Sequence, residues 1–296
     1  MAQIRELKNR MKAVGNIQRI TKTMQMIATA RFSAAQRRAT ASKPYAKKIA
    51  ELVGELAATA GDSLTHPLLG SSGEKVGKSL LLVITSNRGL CGGYNGNVLR
   101  TTAKFIDAAT DKLDVELVGK KGQGYFKFNR RPVAQFHGHF GDQPSYEDVE
   151  QLAERYMKVF EEKQYDAVYV SYMSFVSMSR QQAKVMRLLP MEDPTAGAAG
   201  KETAKAKQAS VDYDFSPEPS ALLDELLPIT VKTTLFQAFN EAVVSEQIAR
   251  MVAMKAATDA AGKMKKELSL KYNRARQAAI TTELTEIISG VAALEG

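Results

Sequence analysis

Three glycine-bearing stretches invite a reading as phosphate or nucleophile sites. The first is TSNRGLCGGYN, residues 85–95, which follows the apolar run Leu80-Leu81-Leu82-Val83-Ile84 and sets an arginine and the only cysteine among its glycines. Such a strand-to-helix turn can cradle a phosphate on backbone N–H groups, or stabilise a thiolate at a helix start. Gly89, Gly92 and Gly93 are spaced GxxGG, which matches neither the dinucleotide pattern GxGxxG nor the P-loop. Gly77-Lys78-Ser79 also fails as a P-loop, because Ser72 stands where glycine is required and the tripeptide precedes its strand. Gly119, Gly122 and Gly124 in GKKGQG invert the dinucleotide spacing. Nucleotide binding by this chain is not expected, and neither is a cofactor.

A cysteine nucleophile needs a neighbouring base. The histidines are His66, alone, and the pair His137 and His139. That pair can touch a metal, but no third ligand is identifiable, and no paired carboxylates stand out. Cys91 therefore reads as a small residue packed in a tight turn. A single cysteine also excludes an internal disulfide.

The elements that position these residues follow from periodicity. Ile4, Leu7, Met11 and Val14 step 3, 4, 3, and Ile17, Ile20, Met24 and Ile27 repeat the spacing after a skip. This predicts a coiled-coil seam with one phase break. Tyr45, Ile49, Leu52, Val53 and Leu56 carry the stripe to residue 60, giving a helix roughly 85 Å long at about 1.5 Å per residue. The far end mirrors it beyond Pro228, with Leu268, Ala275, Ile280, Leu284, Ile287, Val291 and Leu294 at helical spacing. Two such helices are expected to bury each other as an antiparallel pair. The methionines Met24, Met26, Met251, Met254 and Met264 read as core fill on them.

Between the helices the period changes. Ser79–Thr85, Val115–Val118, Val133–Phe136 and Ala167–Tyr172 read as strands, with helices at Asn97–Ala109 and Tyr146–Lys163. That alternation predicts a mostly parallel, Rossmann-like α/β sheet. Val185–Leu189 follows too soon for a helical crossover, so it is expected antiparallel at an edge. Residues 193–210, DPTAGAAGKETAKAKQAS, read as a flexible loop. The organisation expected is a shaft helix over 1–60, a globular domain over 78–215 and a second shaft helix over 218–294.

The net charge of +9 is unevenly placed: residues 1–48 hold twelve Lys or Arg against Glu6, so they carry +11 and the rest −2. Charge so localised points to an acidic partner surface. Nucleic acid fits poorly, because aromatics are lacking before Phe32 and charge and seam share the same residues. No apolar run approaches the ~20 residues of a membrane helix, and the N-terminus has no signal-peptide pattern.

Three separated motifs, in order, then carry a resemblance over nearly the whole chain. IRELKNRMKAVGNIQRITKTMQMIATARF, residues 4–32, resembles the N-terminal helix of the γ subunit family of F-type ATP synthases. SEQIARMVAMKAATDAAGKMKKELSLKYNRARQAAITTELTEIISGVAAL, residues 245–294, resembles its C-terminal signature, and SNRGLCGGYN its first strand-loop element. The resemblance implies a rotor without bond chemistry of its own. Its end helices would turn inside a ring of three α and three β subunits, with the Rossmann-like domain beside the ε subunit on the membrane ring of c subunits. Proton flow would drive it, and its asymmetry would shift the nucleotide affinities of β.

Residue by residue, the resemblance implies β contacts at Arg276, Gln277, Thr281 and Glu283, and coupling positions at Met24 and Arg250. Val291, Ala292, Ala293 and Leu294 would form an apolar bearing tip. Asn87 departs from the aspartate the family commonly has before Arg-Gly, and the cysteine-bearing insert of the chloroplast form is not seen. The location implied is peripheral, on the cytoplasmic face of a bacterial plasma membrane. The rival classes are an α/β enzyme with helical arms and a basic coiled-coil nucleic-acid binder.

Overall fold

The structure, a computed structural model, describes residues 2–60, 66–69, 75–191 and 219–295. The expected loop 193–210 lies outside the described residues. In chain order the elements are α1 (Ala2–Ala60), a 3₁₀ turn (Pro67–Leu69), β1 (Lys78–Ile84), α2 (Tyr94–Ala108), β2 (Lys112–Val118) and α3 (Lys120–Phe128). They continue with β3 (Gln135–His137), α4 (Tyr146–Glu161), β4 (Ala167–Phe175), β5 (Gln181–Leu189) and α5 (Pro219–Glu295). The chain forms two compact units, Arg31–Ala249 and a helical one of Met1–Ala30 with Arg250–Gly296.

The larger unit is built on a five-stranded sheet of order β3-β2-β1-β4-β5. β1 pairs in parallel with both β2 and β4, while β5 runs antiparallel to β4 at the edge. Because β1 is central in a parallel sheet, both its faces must be covered, which explains an unbroken Leu-Leu-Leu-Val-Ile run. Side chains alternate across it. Leu81 and Val83 pack with Val98, Leu99, Leu117 and Phe126 on the α2 and α3 face. Leu80, Leu82 and Ile84 pack with Val149, Leu152 and Tyr156 of α4 and with Leu227, Leu235 and Phe239 of α5 on the other. Val53 and Leu56 of α1 join that second core. α4 starts at Ser145, whose hydroxyl accepts from the Asp148 N–H, with Glu147 and Asp148 complementing the helix dipole.

α3 is absent from the reading of periodicity, because three glycines within GKKGQGYFKF weaken helix propensity there. Tertiary packing requires two of them. Gly119 has φ +93°, and a Cβ on it would lie 2.2 Å from the Thr85 carbonyl oxygen. A Cβ on Gly122 would lie 2.7 Å from Thr85 Oγ1, the same oxygen that accepts the Gly122 N–H at 2.9 Å. The inverted glycine spacing thus serves the close seating of α3 on the end of β1.

In the helical unit the two ends of the chain pair antiparallel. Thr258 Oγ1 donates to Thr21 Oγ1 at 2.8 Å. A Cβ on Gly262 would stand 3.1 Å from Gln18, and one on Gly15 4.0 Å from Lys265. Among the buried or half-buried positions of α1 up to residue 28, Ile4, Leu7, Met11, Val14, Gln18, Thr21, Gln25 and Ala28 form one row, with Gly15 and Met24 half-buried beside it. That is an unbroken 3-4 alternation, so the expected phase break is corrected. The seam continues through small and polar residues at 18, 21, 25 and 28, where two helices can approach closely. Ile17, Ile20 and Ile27, which apolar spacing assigned to the seam, are 52%, 57% and 48% exposed.

A second correction concerns the far end of α5. Leu268, Tyr272, Ala275 and Ala279 are half-buried, but from Ile280 to Ala292 every residue is exposed. Ile280, Leu284, Ile287 and Val291 are therefore not buried within this chain. Of the methionines, Met254 is buried and Met24 and Met251 half-buried, whereas Met26 and Met264 are exposed.

Candidate functional surfaces

The turn over residues 85–95 is a closed polar knot. Ser86 is buried; its N–H donates to Asn95 Oδ1 at 3.0 Å and its hydroxyl to the Arg88 carbonyl at 2.6 Å. Asn95 Nδ2 donates to Ser86 Oγ at 2.7 Å and to Cys91 Sγ at 3.2 Å. Cys91 is 2% exposed and packs with Tyr94 and Val98, and no imidazole or carboxylate bonds to it among the described residues. Asn87 bridges two loops, donating to the Phe140 carbonyl and accepting from the Lys120 N–H. Arg88 pairs with Asp142 at 2.9 Å, and Asp142 also meets Arg31 of α1. These contacts tie the stretch to the start of α2, to Lys120 and to the loop at residues 140–142.

In a doubly wound sheet a ligand sits beyond the strand ends where the strand order reverses, here between β1 and β4. Ile84, Phe140, Phe239 and Ala242 occupy that end as one apolar cluster, the Phe140 and Phe239 rings 4.8 Å apart. Helix α5 lines that end with its own side chains, which with Thr85, Asn87 and Glu246 border a small cleft there.

The most polar interior group was not found by motif spacing. Glu116 on β2 is 3% exposed, and its Oε2 is met by His137 Nε2 at 2.8 Å, by the Tyr156 hydroxyl at 2.7 Å and by Arg155. Burial pushes the Glu116 carboxyl up, but the hydrogen bonds from His137, Arg155 and Tyr156 outweigh it and hold the group below its ordinary range. The same burial, with Glu116 beside it, raises the Tyr156 phenol well above its usual value. One signal was available: a glutamate inside the buried strand segment Val115-Glu116-Leu117-Val118 must be paired. The fold thus places His137 on a carboxylate. Its ring lies 5.8 Å from that of His139. Among the described residues no group of three His, Cys, Asp or Glu is arranged to hold a metal ion.

The residues assigned to partner contacts all lie on the two long helices. Met24 is half-buried on α1, and Arg250 on α5 is 8% exposed. Arg276, Gln277, Thr281 and Glu283 are exposed, as are Val291 and Ala292; the side chains of Ala293 and Leu294 lie outside the described ones. Thr281 Oγ1 donates back to the Gln277 carbonyl at 3.0 Å. Turned at about 100° per residue, Arg276, Gln277, Thr281 and Glu283 share one face with Ile280, Leu284, Ile287, Ile288 and Val291. That face is apolar, little charged and 49–64% exposed at its large hydrophobic residues, which marks an interaction surface. On α1, Arg5, Lys8, Lys12, Arg19, Lys22, Arg37 and Arg38 are exposed. No described helix is long and apolar enough to cross a membrane.

Comparison with known proteins gives these surfaces a context. A family model described as ATP synthase matches residues 3–294. The chain is 44% identical to the ATP synthase gamma chain of Rhodopirellula baltica and 40% identical to that of Desulforudis audaxviator, each match covering 100% of both chains. Among solved structures, a chain of the Euglena gracilis mitochondrial ATP synthase rotor superposes with a TM-score of 0.63 at 16% identity, over 94% of this chain and 99% of that one. A chain from the central stalk and c-ring of the Tetrahymena thermophila mitochondrial ATP synthase gives 0.55 at 20% identity, over 80% and 99%. At that identity the structural likeness speaks for the fold.

Proposed function

The chain belongs to the ATP synthase γ-chain family, and from that premise we propose how it works as the rotor of the central stalk. It is a non-catalytic subunit; catalysis belongs to β. α1 and α5 serve as the shaft, over 1–60 and 218–294, and the sheet domain, over 78–215, as the foot beside ε and the c-ring. Proton flow through the membrane ring turns the shaft inside three α and three β subunits. An asymmetric shaft stabilises different conformations of the three β subunits in turn, and so shifts their nucleotide affinities. The site of action is the cytoplasmic face of a bacterial plasma membrane, held peripherally through the complex.

One observation carries the reading: beyond Ala279, α5 exposes a near-neutral apolar face. A solvated helix would present charge there, whereas a helix turning inside a protein sleeve requires a surface without fixed ion pairs. Arg276, Gln277, Thr281 and Glu283 give that face a polar flank for β, and Val291 to Leu294 form its bearing. Arg250 and Met24 transmit torque to the lever of β, towards which the basic face of α1 is attracted. Exposed ion pairs contribute little each, so that charge sets register more than affinity.

The deciding experiment is affinity purification of the tagged chain from detergent-solubilised membranes of its host. Co-purification of α, β, ε and c at fixed stoichiometry is expected. Recovery of the chain without α and β would end the rotor reading.

A further inference from the structure

The chain beyond residue 48 sums to −2, yet one face of the larger unit is strongly basic. Residues 117–141 hold five Lys or Arg and no Asp or Glu. They lie on α3 and the turn after it: Lys120, Lys121, Lys127 and Arg130 are exposed, and Arg131 is half-buried. α2 packs on the same side of the sheet and adds Arg100 and Lys104, both exposed, against Asp107. Arg131 meets Asp107 at 2.8 Å, so that pair cancels, and the other six charges of α2, α3 and the turn are all positive. Gly122 and Phe126 are the buried positions of α3. At about 100° per residue, Lys120, Lys121, Gly124, Lys127 and Phe128 share the opposite, outer side. No described group lies within 4 Å of a Cβ built on Gly124, so that side is open. Phe128, between Lys127 and Arg130, is 86% exposed, and its ring keeps the full cost of contact with water.

We propose that the outer side of α3 docks on an anionic lipid surface. Its lysines and Arg130 take the phosphate headgroups, and the Phe128 ring enters the interfacial layer. The two signals differ in kind and reinforce each other: clustered cations draw the face to anionic lipid over a Debye length, and the ring anchors it. No carboxylate stands on α3 to repel a headgroup. An acidic protein surface would answer the charge equally well, but it must also offer a pocket shaped to one protruding ring. A membrane–water interface accepts an aromatic ring without a preformed pocket. Headgroups exchange freely, so the attraction favours no angular position of a subunit that turns.

The chain has no tryptophan, so F128W sets a single fluorophore at the point of contact. The full-length variant is titrated with vesicles of equal parts phosphatidylglycerol and phosphatidylcholine, with brominated acyl chains as quencher. A blue shift and quenching are expected, and neither with phosphatidylcholine alone. K127Q/R130Q, added to F128W, is expected to weaken binding by about fivefold for each charge removed. Its thermal midpoint should not move, because both side chains are exposed. I17W carries the same reporter on the basic helix α1, where Ile17 is exposed. Quenching of I17W without quenching of F128W makes α1 the lipid-binding part and overturns the proposal. An F128W spectrum unmoved by anionic vesicles, equal binding to phosphatidylcholine alone, or unchanged affinity in K127Q/R130Q overturns it too. So does an equal shift on soluble poly-glutamate, which marks a surface for an acidic protein instead. The readout follows one face of the isolated chain, so failure here leaves the rotor reading standing.

Discussion

Replacing Glu116 by leucine removes the one acceptor on which His137, Tyr156 and Arg155 converge. His137 and Tyr156 are 4% and 0% exposed, so neither finds water in its place. Each orphaned buried group costs about 1–3 kcal/mol. The Arg155 side chain is 37% exposed and keeps Gln135 at 2.8 Å, so it turns to solvent and adds little. The sum is a loss of about 4 kcal/mol, in the range for breaking a buried ion pair from one side. The pH dependence is signed. The folded-state pKa of Glu116 lies below its ordinary 4.5, so its contribution is present above that value and lost as pH falls through the lower, folded one. Urea unfolding of the full chain, followed by circular dichroism between pH 7 and pH 3, measures both effects. E116L should unfold at markedly lower urea at pH 7, and its deficit should shrink towards pH 3. A deficit under about 1 kcal/mol at pH 7, or one independent of pH, would refute the argument that these donors depend on an ionised Glu116.

Gly119→Ala should destabilise by at least about 2 kcal/mol, since φ is +93° and the new Cβ meets the Thr85 carbonyl at 2.2 Å; an unshifted thermal midpoint would contradict the packing of α3. On α1, Ile17→Ser should leave the unfolding free energy of the full chain, measured in urea, within about 0.5 kcal/mol of wild type, because Ile17 is exposed. Val14→Ser, on the seam, should lower stability by about 1–2 kcal/mol, and equal effects would restore the phase break. Met24→Lys, at a half-buried position, should reduce protons pumped per ATP hydrolysed in reconstituted vesicles while the subunits still co-purify. Unchanged pumping per ATP would remove Met24 from the coupling positions.

Local periodicity was sufficient for much of this protein. The apolar run 80–84, the alternation of strands and helices and the short step into 185–189 determined a mostly parallel sheet with an antiparallel edge, as found. TSNRGLCGGYN was legible as the turn from β1 into α2, because an apolar strand run ends there and glycines follow, and both signals are visible in one dimension. The rotor resemblance likewise rests on contiguous residues at the two ends.

Tertiary structure alone decided what depends on partners distant in sequence. Ile17 and Gln18 are neighbours, and apolarity alone favours Ile17 as the buried one. The opposing helix brings Gly262 to Gln18, and close approach of backbones selects the seam over hydrophobicity. The Glu116 cluster joins residues 116, 137 and 155–156, which no spacing rule links. Residues 280–291 have the same helical period as a buried stripe, so sequence could not tell a face covered by α1 from one left for another chain. Periodicity records which side of a helix is apolar; only the position of the opposing helix decides whether that side is already satisfied.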